Sequence, residues 1–453
     1  MWKFLDYNYI FDGASDRLFK VDEEVYDFMQ NCIADNPNNE VIFEGLDNMI
    51  YRPFAHENKR EEKNDKDIGL TKVVINITDK CNLRCSYCVY PNDPSRDHQI
   101  SGRSIEPEKI DDLISFLSSS MLKNTQISFF GGEPIYRFSH IKRIIIGLAE
   151  ARPDWEKIFT ATSNFTVMSH EVLKFFVDNN GFLMASIDGP RHIHDCNRPT
   201  HDGKGSHERA HKWLRYLIDT FPLYASTNLA VNCVMTDDNF DEINKYFHET
   251  YPEIYNKRFT VATASAYNSL LESDMYRIKL NLSYWVEKRL SELEKLEDIL
   301  SNPLLLSFCK RILIPIMSRG NMTDGSKRFT SCRSGQKLFV NSDMSFGVCQ
   351  TVNEQYSGDV DSYIMAKFNM SKEFSDMLEN RCRYCSSAPM CNICYAAVWD
   401  GKGLSRQKLD SYCLRFRDES TRWLNAYVGL IERHENAVER LQNILTQESE
   451  AFA

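Results

Sequence analysis

Between residues 70 and 265 the chain alternates short apolar runs with segments of helical periodicity. The runs at 73–78, 126–130, 158–163, 182–187, 229–234 and 259–262 have the length and β-branched or aromatic content of buried strands. Between them, 107–119, 138–151, 169–178, 207–219 and 238–249 place apolar residues on one helical face. Six β-α units of this kind predict a parallel, barrel-like α/β sheet. Chemistry in such a sheet belongs at the C-terminal ends of the strands.

Three thiols, Cys81, Cys85 and Cys88, follow the first of these strands. Thiolates are soft ligands for zinc or for iron–sulfur clusters. Three close cysteines can hold three irons of a [4Fe–4S] cube and leave the fourth iron open. Half of a zinc site is the competing reading, but zinc motifs pair Cys-x2-Cys with a second such pair or with His-x3-His. The Cys-x3-Cys-x2-Cys spacing fits that badly.

Composition supports a metal role for the cysteines. The chain has 453 residues, 42% of them hydrophobic and 26% charged, which suits two or three globular domains. The apolar run at 141–148 is far too short to span a bilayer. The first residues lack a signal-peptide apolar core. A cytoplasmic protein without membrane contact is therefore expected. In a reducing compartment, fourteen cysteines read as ligands rather than disulfides. Ten fall in two groups, 81–88 and 332–413, while Cys32, Cys196, Cys233 and Cys309 are scattered. Cys233 sits in an apolar run and reads as core. The net charge of −10 argues against a nucleic-acid partner and is compatible with a neutral or basic peptide.

Cys81-Asn82-Leu83-Arg84-Cys85-Ser86-Tyr87-Cys88 resembles the signature of the radical S-adenosylmethionine (SAM) superfamily. Further stretches match the family in order: Gly131-Gly132-Glu133-Pro134, Thr162-Ser163-Asn164, and Ser186-Ile187-Asp188-Gly189-Pro190 with His194-Asp195 and Arg198. The resemblance implies a partial (β/α)6 TIM-like barrel in which the open iron is chelated by the amino and carboxylate groups of SAM. It also implies roles. Gly131, Gly132 and Glu133 would bind the SAM amino group, Asn164 would be a polar contact, and Ser186 would meet the ribose. Arg198 would pair with the carboxylate through two hydrogen bonds, and Tyr87 would lie near adenine. Phe165 stands where the family has Gly.

The C-terminal cysteines, Cys332, Cys349, Cys382, Cys385, Cys391, Cys394 and Cys413, resemble the SPASM domain of radical SAM peptide maturases. That resemblance implies two auxiliary [4Fe–4S] clusters, and so three in all. Cys382, Cys385, Cys391 and Cys413 would hold the second auxiliary cluster, and Cys332, Cys349 and Cys394 the first. Ser326 stands where many relatives carry a fourth ligand for the first cluster, and Cys309 is the upstream candidate to replace it. Cys391 and Cys394 are separated by two residues where the family has three, and Met344 stands where the family has Gly. A zinc site made of Cys382, Cys385, Cys391 and Cys394 is the alternative.

The remaining segments divide the chain. Residues 1–66 read as a hairpin-helix unit with a further strand at 41–43, in outline similar to leader-peptide recognition elements, or else as a cap on the barrel. The charged run 56–67 reads as a linker. The barrel takes 70–265, a helical connection 266–330 (helices at 270–300 and 304–317), a cysteine-rich, loop-rich module of short strands and turns 331–415, and a final helix 416–446 within 416–453. The resemblance implies an enzyme that cleaves SAM reductively to a 5′-deoxyadenosyl radical and abstracts hydrogen from a ribosomal precursor peptide of leader plus core. A thioether or carbon–carbon crosslink would result, with flavodoxin or ferredoxin as electron donor. An anaerobic sulfatase maturase, which makes formylglycine, is the alternative. Those enzymes carry Asp where Gln350 stands, and a neutral amide is no general base. A non-catalytic iron–sulfur electron carrier is an alternative of another class.

Overall fold

The structure is a computed structural model. It describes residues 2–4, 7–12, 17–21, 23–27, 30, 70–88, 102–236, 238–255, 259–263, 282–299, 302–317, 337–349, 352–356, 360–382, 385, 387–391 and 393–446.

At the N-terminus, strands β1 (Trp2–Phe4), β2 (Tyr7–Asp12) and β3 (Arg17–Val21) form an antiparallel meander in the order β1-β2-β3. Trp2 pairs with Tyr9 and Phe4 with Tyr7, so a further strand precedes the expected hairpin. Residues 23–27 are helical, as expected after the hairpin. The strand expected at 41–43 and the linker at 56–67 lie outside the described residues.

All six expected parallel strands are present: β4 (Leu70–Thr78), β5 (Met121–Gly131), β6 (Phe159–Ser163), β7 (Phe182–Ser186), β8 (Leu229–Met235) and β9 (Phe259–Thr263). They pair in sequence order, each parallel to the next. Strands flanked by helices on the outside and by packed side chains inside lose the polar/apolar alternation. In β4 every residue from Val73 to Thr78 is buried. The helices read the other period. Phe138–Ala151 buries Ile141, Ile144, Ile145 and Leu148, one stripe at i, i+3, i+4 and i+7. Each such side chain contributes about 1.5–3 kcal/mol on burial. The short helices Arg191–Asn197 and Pro222–Asn228 were not expected.

The sheet does not stop at the barrel. Strand β10 (Lys337–Val340) lies parallel to β4 on its other edge, and β11 (Phe346–Cys349) and β12 (Val352–Tyr356) follow antiparallel. One nine-stranded sheet results, ordered β12-β11-β10-β4-β5-β6-β7-β8-β9. The short strands expected after residue 331 are therefore present, and they extend the barrel sheet. The same segment also contains a long helix, Val360–Cys382. Of the connection, the helix Leu282–Ser291, a turn at Leu296–Ile299 and the helix Pro303–Met317 are described. The last helical region starts earlier than expected, as Arg406–Arg433, and breaks before Ala437–Thr446, with Asn436 in the left-handed region at φ +55°.

Two positions where the family carries Gly have positive φ here: Phe165 at +59° and Met344 at +72°. Left-handed backbone costs an L-residue roughly 1–2 kcal/mol. Phe165 is completely buried, so its ring offsets that cost; Met344 is only partly buried. Phe165→Gly should therefore lose about 3 kcal/mol or more, whereas Met344→Gly should stay within about 0.5 kcal/mol of wild type because strain relief cancels lost packing. Denaturant unfolding of both variants checks this. Equal losses would mean that burial does not decide the outcome.

Candidate active site

The buried run of β4 ends at Thr78, and the three-cysteine loop begins there. Neighbouring backbone clamps the loop. The N–H groups of Arg84 and Ser86 donate to the carbonyls of Pro199 (2.7 Å) and Asn197 (2.9 Å), and His201 N–H donates to Asn82 O (3.2 Å). Arg84 Nη1 closes the loop internally by donating to the carbonyls of Cys81 (3.0 Å) and Leu83 (2.8 Å). The buried Asp79 joins this loop to the turn after β10: its carboxylate accepts from Asn76 Nδ2 (2.8 Å) and Ser342 Oγ (3.0 Å). The three thiols lie close together: Cys88 raises the pKa of Cys81, and Cys88 and Cys81 raise that of Cys85. Burial is the larger cause, pushing the Cys81 thiol up to about 11 and Cys85 to about 12.

The Gly-Gly-Glu-Pro stretch leaves β5 against this loop. A Cβ on Gly131, whose φ is +132°, would stand 2.3 Å from Asn76 Oδ1, and one on Gly132 would stand 2.4 Å from Lys80 O. Both glycines thus permit the backbone to press on the end of β4, where Gly132 N–H donates to Thr78 O and Glu133 N–H to Lys80 O, each at 2.8 Å. The buried Glu133 carboxylate accepts from Ile135 N (3.1 Å) and Asn164 N (2.7 Å). Burial nevertheless raises its pKa to about 7. Between about 4.5, the ordinary value, and about 7 the folded state binds more protons than the unfolded one. Stability should then fall as pH rises through that window, by about 3 kcal/mol from this group. Glu133→Gln should flatten the dependence between about pH 5 and about pH 8 in urea unfolding. An unchanged slope would place its source elsewhere.

Asp188, for which the sequence suggested no separate role, is the hub of the other side. It is fully buried at the end of β7, next to the buried Ser186. Its Oδ2 accepts from the Tyr87 hydroxyl (2.6 Å) and Arg198 Nε (3.1 Å), and its Oδ1 accepts from Val234 N (3.0 Å). The Arg198 guanidinium also lies over the Tyr87 ring, 5.6 Å from its centroid. His194 fixes the turn. Its Nδ1 accepts from Asp188 N (3.2 Å), so Nε2 carries the proton and donates to Ser206 Oγ (3.1 Å), which donates to Arg198 O (2.6 Å). Burial lowers the His194 pKa to about 2, so the ring stays neutral. Tyr87 and Arg198 are held by one carboxylate, and the remaining guanidinium nitrogens are the groups left to meet a ligand. The signal for Asp188 was in the Ser-Ile-Asp-Gly-Pro stretch.

In the C-terminal module, Cys385 and Cys413 are the thiols that raise Cys382, while Cys382 and Cys385 raise Cys391. Burial, the larger cause, pushes Cys382 up to about 11 and Cys391 to about 12. Arg381 pairs with Asp410 beside Cys413, tying the two helices that carry Cys382 and Cys413. Cys394 immediately precedes the short helix Tyr395–Val398. Cys332, Ser326 and Gln350 lie outside the described residues, as does the Cys349 side chain at the end of β11. Cys309 is completely buried in Pro303–Met317, and burial pushes its thiol up. Cys233 is buried in β8 and Cys196 is exposed. Among the described residues, no three of His, Cys, Asp or Glu close around a single-ion position.

A family model described as the radical SAM superfamily matches residues 75–247, the stretch holding the cysteine loop, Glu133 and Arg198. The chain carries a radical SAM domain. Similar proteins include the radical SAM cyclopropyl synthase TigE of Paramaledivibacter caminithermalis, 25% identical over 45% of this chain and 43% of TigE. A cysteine-type anaerobic sulfatase-maturating enzyme of Clostridium novyi is 23% identical over 40% of this chain and 48% of its own length. The chain therefore spans about half the length of these two curated relatives. A cysteine-type anaerobic sulfatase-maturating enzyme of Clostridium perfringens is 22% identical over 75% of this chain and 92% of its own. Two solved structures share the fold. Native anSMEcpe with bound AdoMet and Cp18Cys peptide has a TM-score of 0.58 at 19% identity, covering 84% of this chain and 99% of that one. Streptococcus suis SuiB bound to precursor peptide SuiA has 0.51 at 15%, covering 88% and 96%. The radical SAM family implies SAM and a [4Fe–4S] cluster. Three soft donors on one loop, with carboxylate Glu133 just after β5 and cation Arg198 just after the helix Arg191–Asn197, fit a cluster and the charged end of an amino acid. No helix among the described residues is long and apolar enough to cross a membrane.

Proposed function

We propose that this radical SAM enzyme modifies a ribosomally made peptide by hydrogen abstraction, forming a thioether or carbon–carbon crosslink. Cys81, Cys85 and Cys88 would hold the catalytic cluster, and Glu133, Arg198, Ser186 and Tyr87 would bind SAM. Cys382, Cys385, Cys391 and Cys413 would hold one auxiliary cluster, and Cys332, Cys349 and Cys394 another. The cluster and SAM would supply the radical; the chain's residues orient SAM and exclude water. A flavodoxin- or ferredoxin-type donor would supply the electron. The observation that carries this reading is the convergence of the cysteine loop, Glu133 and the Tyr87–Asp188–Arg198 group at the C-terminal ends of parallel strands.

Sulfatase maturation is a second reading, favoured by the match to the Clostridium perfringens enzyme over most of both chains. Product analysis separates the two: a crosslinked peptide retains its sulfur, whereas formylglycine made from Cys loses it. Incubation of the reconstituted enzyme with SAM, reductant and candidate peptides, followed by mass spectrometry, decides. Loss of sulfur would refute the crosslinking proposal.

The N-terminal meander is proposed to bind the peptide leader by strand addition. Deleting residues 1–66 should raise the peptide Kd without stopping SAM cleavage. Full-rate modification by the deletion variant at low peptide concentration would make the segment a cap instead.

A further inference from the structure

Three side chains between the cysteine loop and the end of β6 form a closed ring of hydrogen bonds. The Thr166 hydroxyl donates to Asn164 Oδ1 (2.6 Å), Asn164 Nδ2 donates to Asn82 Oδ1 (2.9 Å), and Asn82 Nδ2 donates to Thr166 Oγ1 (2.7 Å). One backbone group fixes the direction of the whole ring. Thr166 N–H also donates to Asn164 Oδ1 (2.9 Å), so that atom must be the oxygen and the other must be the amide nitrogen. Asn82 and the hydroxyl then have one orientation left. Head-to-tail donation of this kind strengthens each bond. Asn164 and Thr166 are buried, and Asn164 N–H also reaches Glu133.

The ring leaves Asn164 one unspent amide hydrogen, and it faces Cys81 Sγ, 4.0 Å away. Leu83 N–H reaches the same sulfur at 3.5 Å. We infer that Asn82 and Thr166 are positioning residues that hold the Asn164 amide on the Cys81 sulfur, and that this contact sets the reduction potential of the cluster carried by that loop. Donors to a ligand sulfur favour the reduced, more negative cluster and so raise the potential. Asn164 thereby acts on the cluster, with its carbonyl oxygen already committed to Thr166. The inference rests on the proposed cluster at Cys81, Cys85 and Cys88.

Thr166→Val removes the hydroxyl at nearly constant volume. In the reconstituted holoenzyme, an EPR-monitored redox titration of the signal that changes on SAM addition should show a lower midpoint potential for Thr166→Val. Iron content should match wild type, and Thr166→Ser should restore the wild-type potential. Asn164→Ser, which deletes the sulfur donor itself, should lower the potential as well and serves as the test if Thr166→Val fails to fold. A wild-type potential in folded Thr166→Val and Asn164→Ser overturns the inference. So does a shift that Thr166→Ser does not rescue. A wild-type protein that binds no SAM-responsive cluster instead overturns the functional reading beneath it.

Discussion

Asp188→Asn should destabilise the apoprotein by about 3–5 kcal/mol, the usual loss when one partner of a buried ion pair is removed. The Arg198 side chain is 8% exposed and Asp188 is not exposed at all, so water cannot replace the lost charge. Asparagine keeps the size and one acceptor but cannot serve Tyr87, Arg198 and Val234 with the same charge. Three elements would loosen together: the cysteine loop, the end of β8 and the segment after Arg191–Asn197. Denaturant unfolding reads the effect, with Arg103→Ala as a control: that guanidinium is exposed, and the buried Asp79 keeps its bonds from Asn76 and Ser342, so a loss of at most about 1 kcal/mol is expected. A loss below about 1 kcal/mol for Asp188→Asn would mean that Arg198 turns to solvent.

Simultaneous replacement of Cys81, Cys85 and Cys88 by Ala should abolish SAM cleavage entirely. It should remove about four irons per chain while leaving the iron held by the C-terminal cysteines. The two groups are on separate elements, the loop after β4 and the helices Val360–Cys382 and Arg406–Arg433 with the turn between them, so loss of one set of ligands leaves the other in place. Iron analysis and assay for 5′-deoxyadenosine measure both outcomes. Retained cleavage, or zinc at one per chain with only four irons in the wild type, would refute the assignment of the thiols.

The barrel was legible because its strands are short runs rich in apolar and β-branched residues that alternate with helical periodicity; observed and expected bounds for β6 to β9 differ by one residue at most. Short strands were expected after residue 331 as well, but neither the positions of β10 to β12 nor their pairing with the barrel sheet could be read. These strands have four or five residues each, and β10 owes its place to pairing with residues more than 260 positions earlier, which no local pattern carries. The helix Val360–Cys382 was hidden by polar residues and by the cysteines that drew the reading toward loops. Within the site, motif residues singled out Glu133 and Arg198 as candidates, but not what holds them. Thr166 carries no motif signal at all; its importance comes from lying across from Asn82, eighty-four residues away. Phe165 and Met344 departed from the motif in ways visible in sequence, and both proved to occupy backbone that glycine would adopt without strain.

The pairing of β10 with β4 also orders events on the ribosome. The barrel strands 70–263 leave the exit tunnel well before residue 337, so β4 must wait with one edge unpaired while about seventy more residues are made. An apolar strand with open N–H and C=O groups is a template for the wrong partner. Distant pairings close slowly, and Asp79 cannot collect its bond from Ser342 until that closure is complete. Nascent chains stalled before residue 337 are thus the vulnerable species, and chaperone demand during expression should peak over that interval of synthesis.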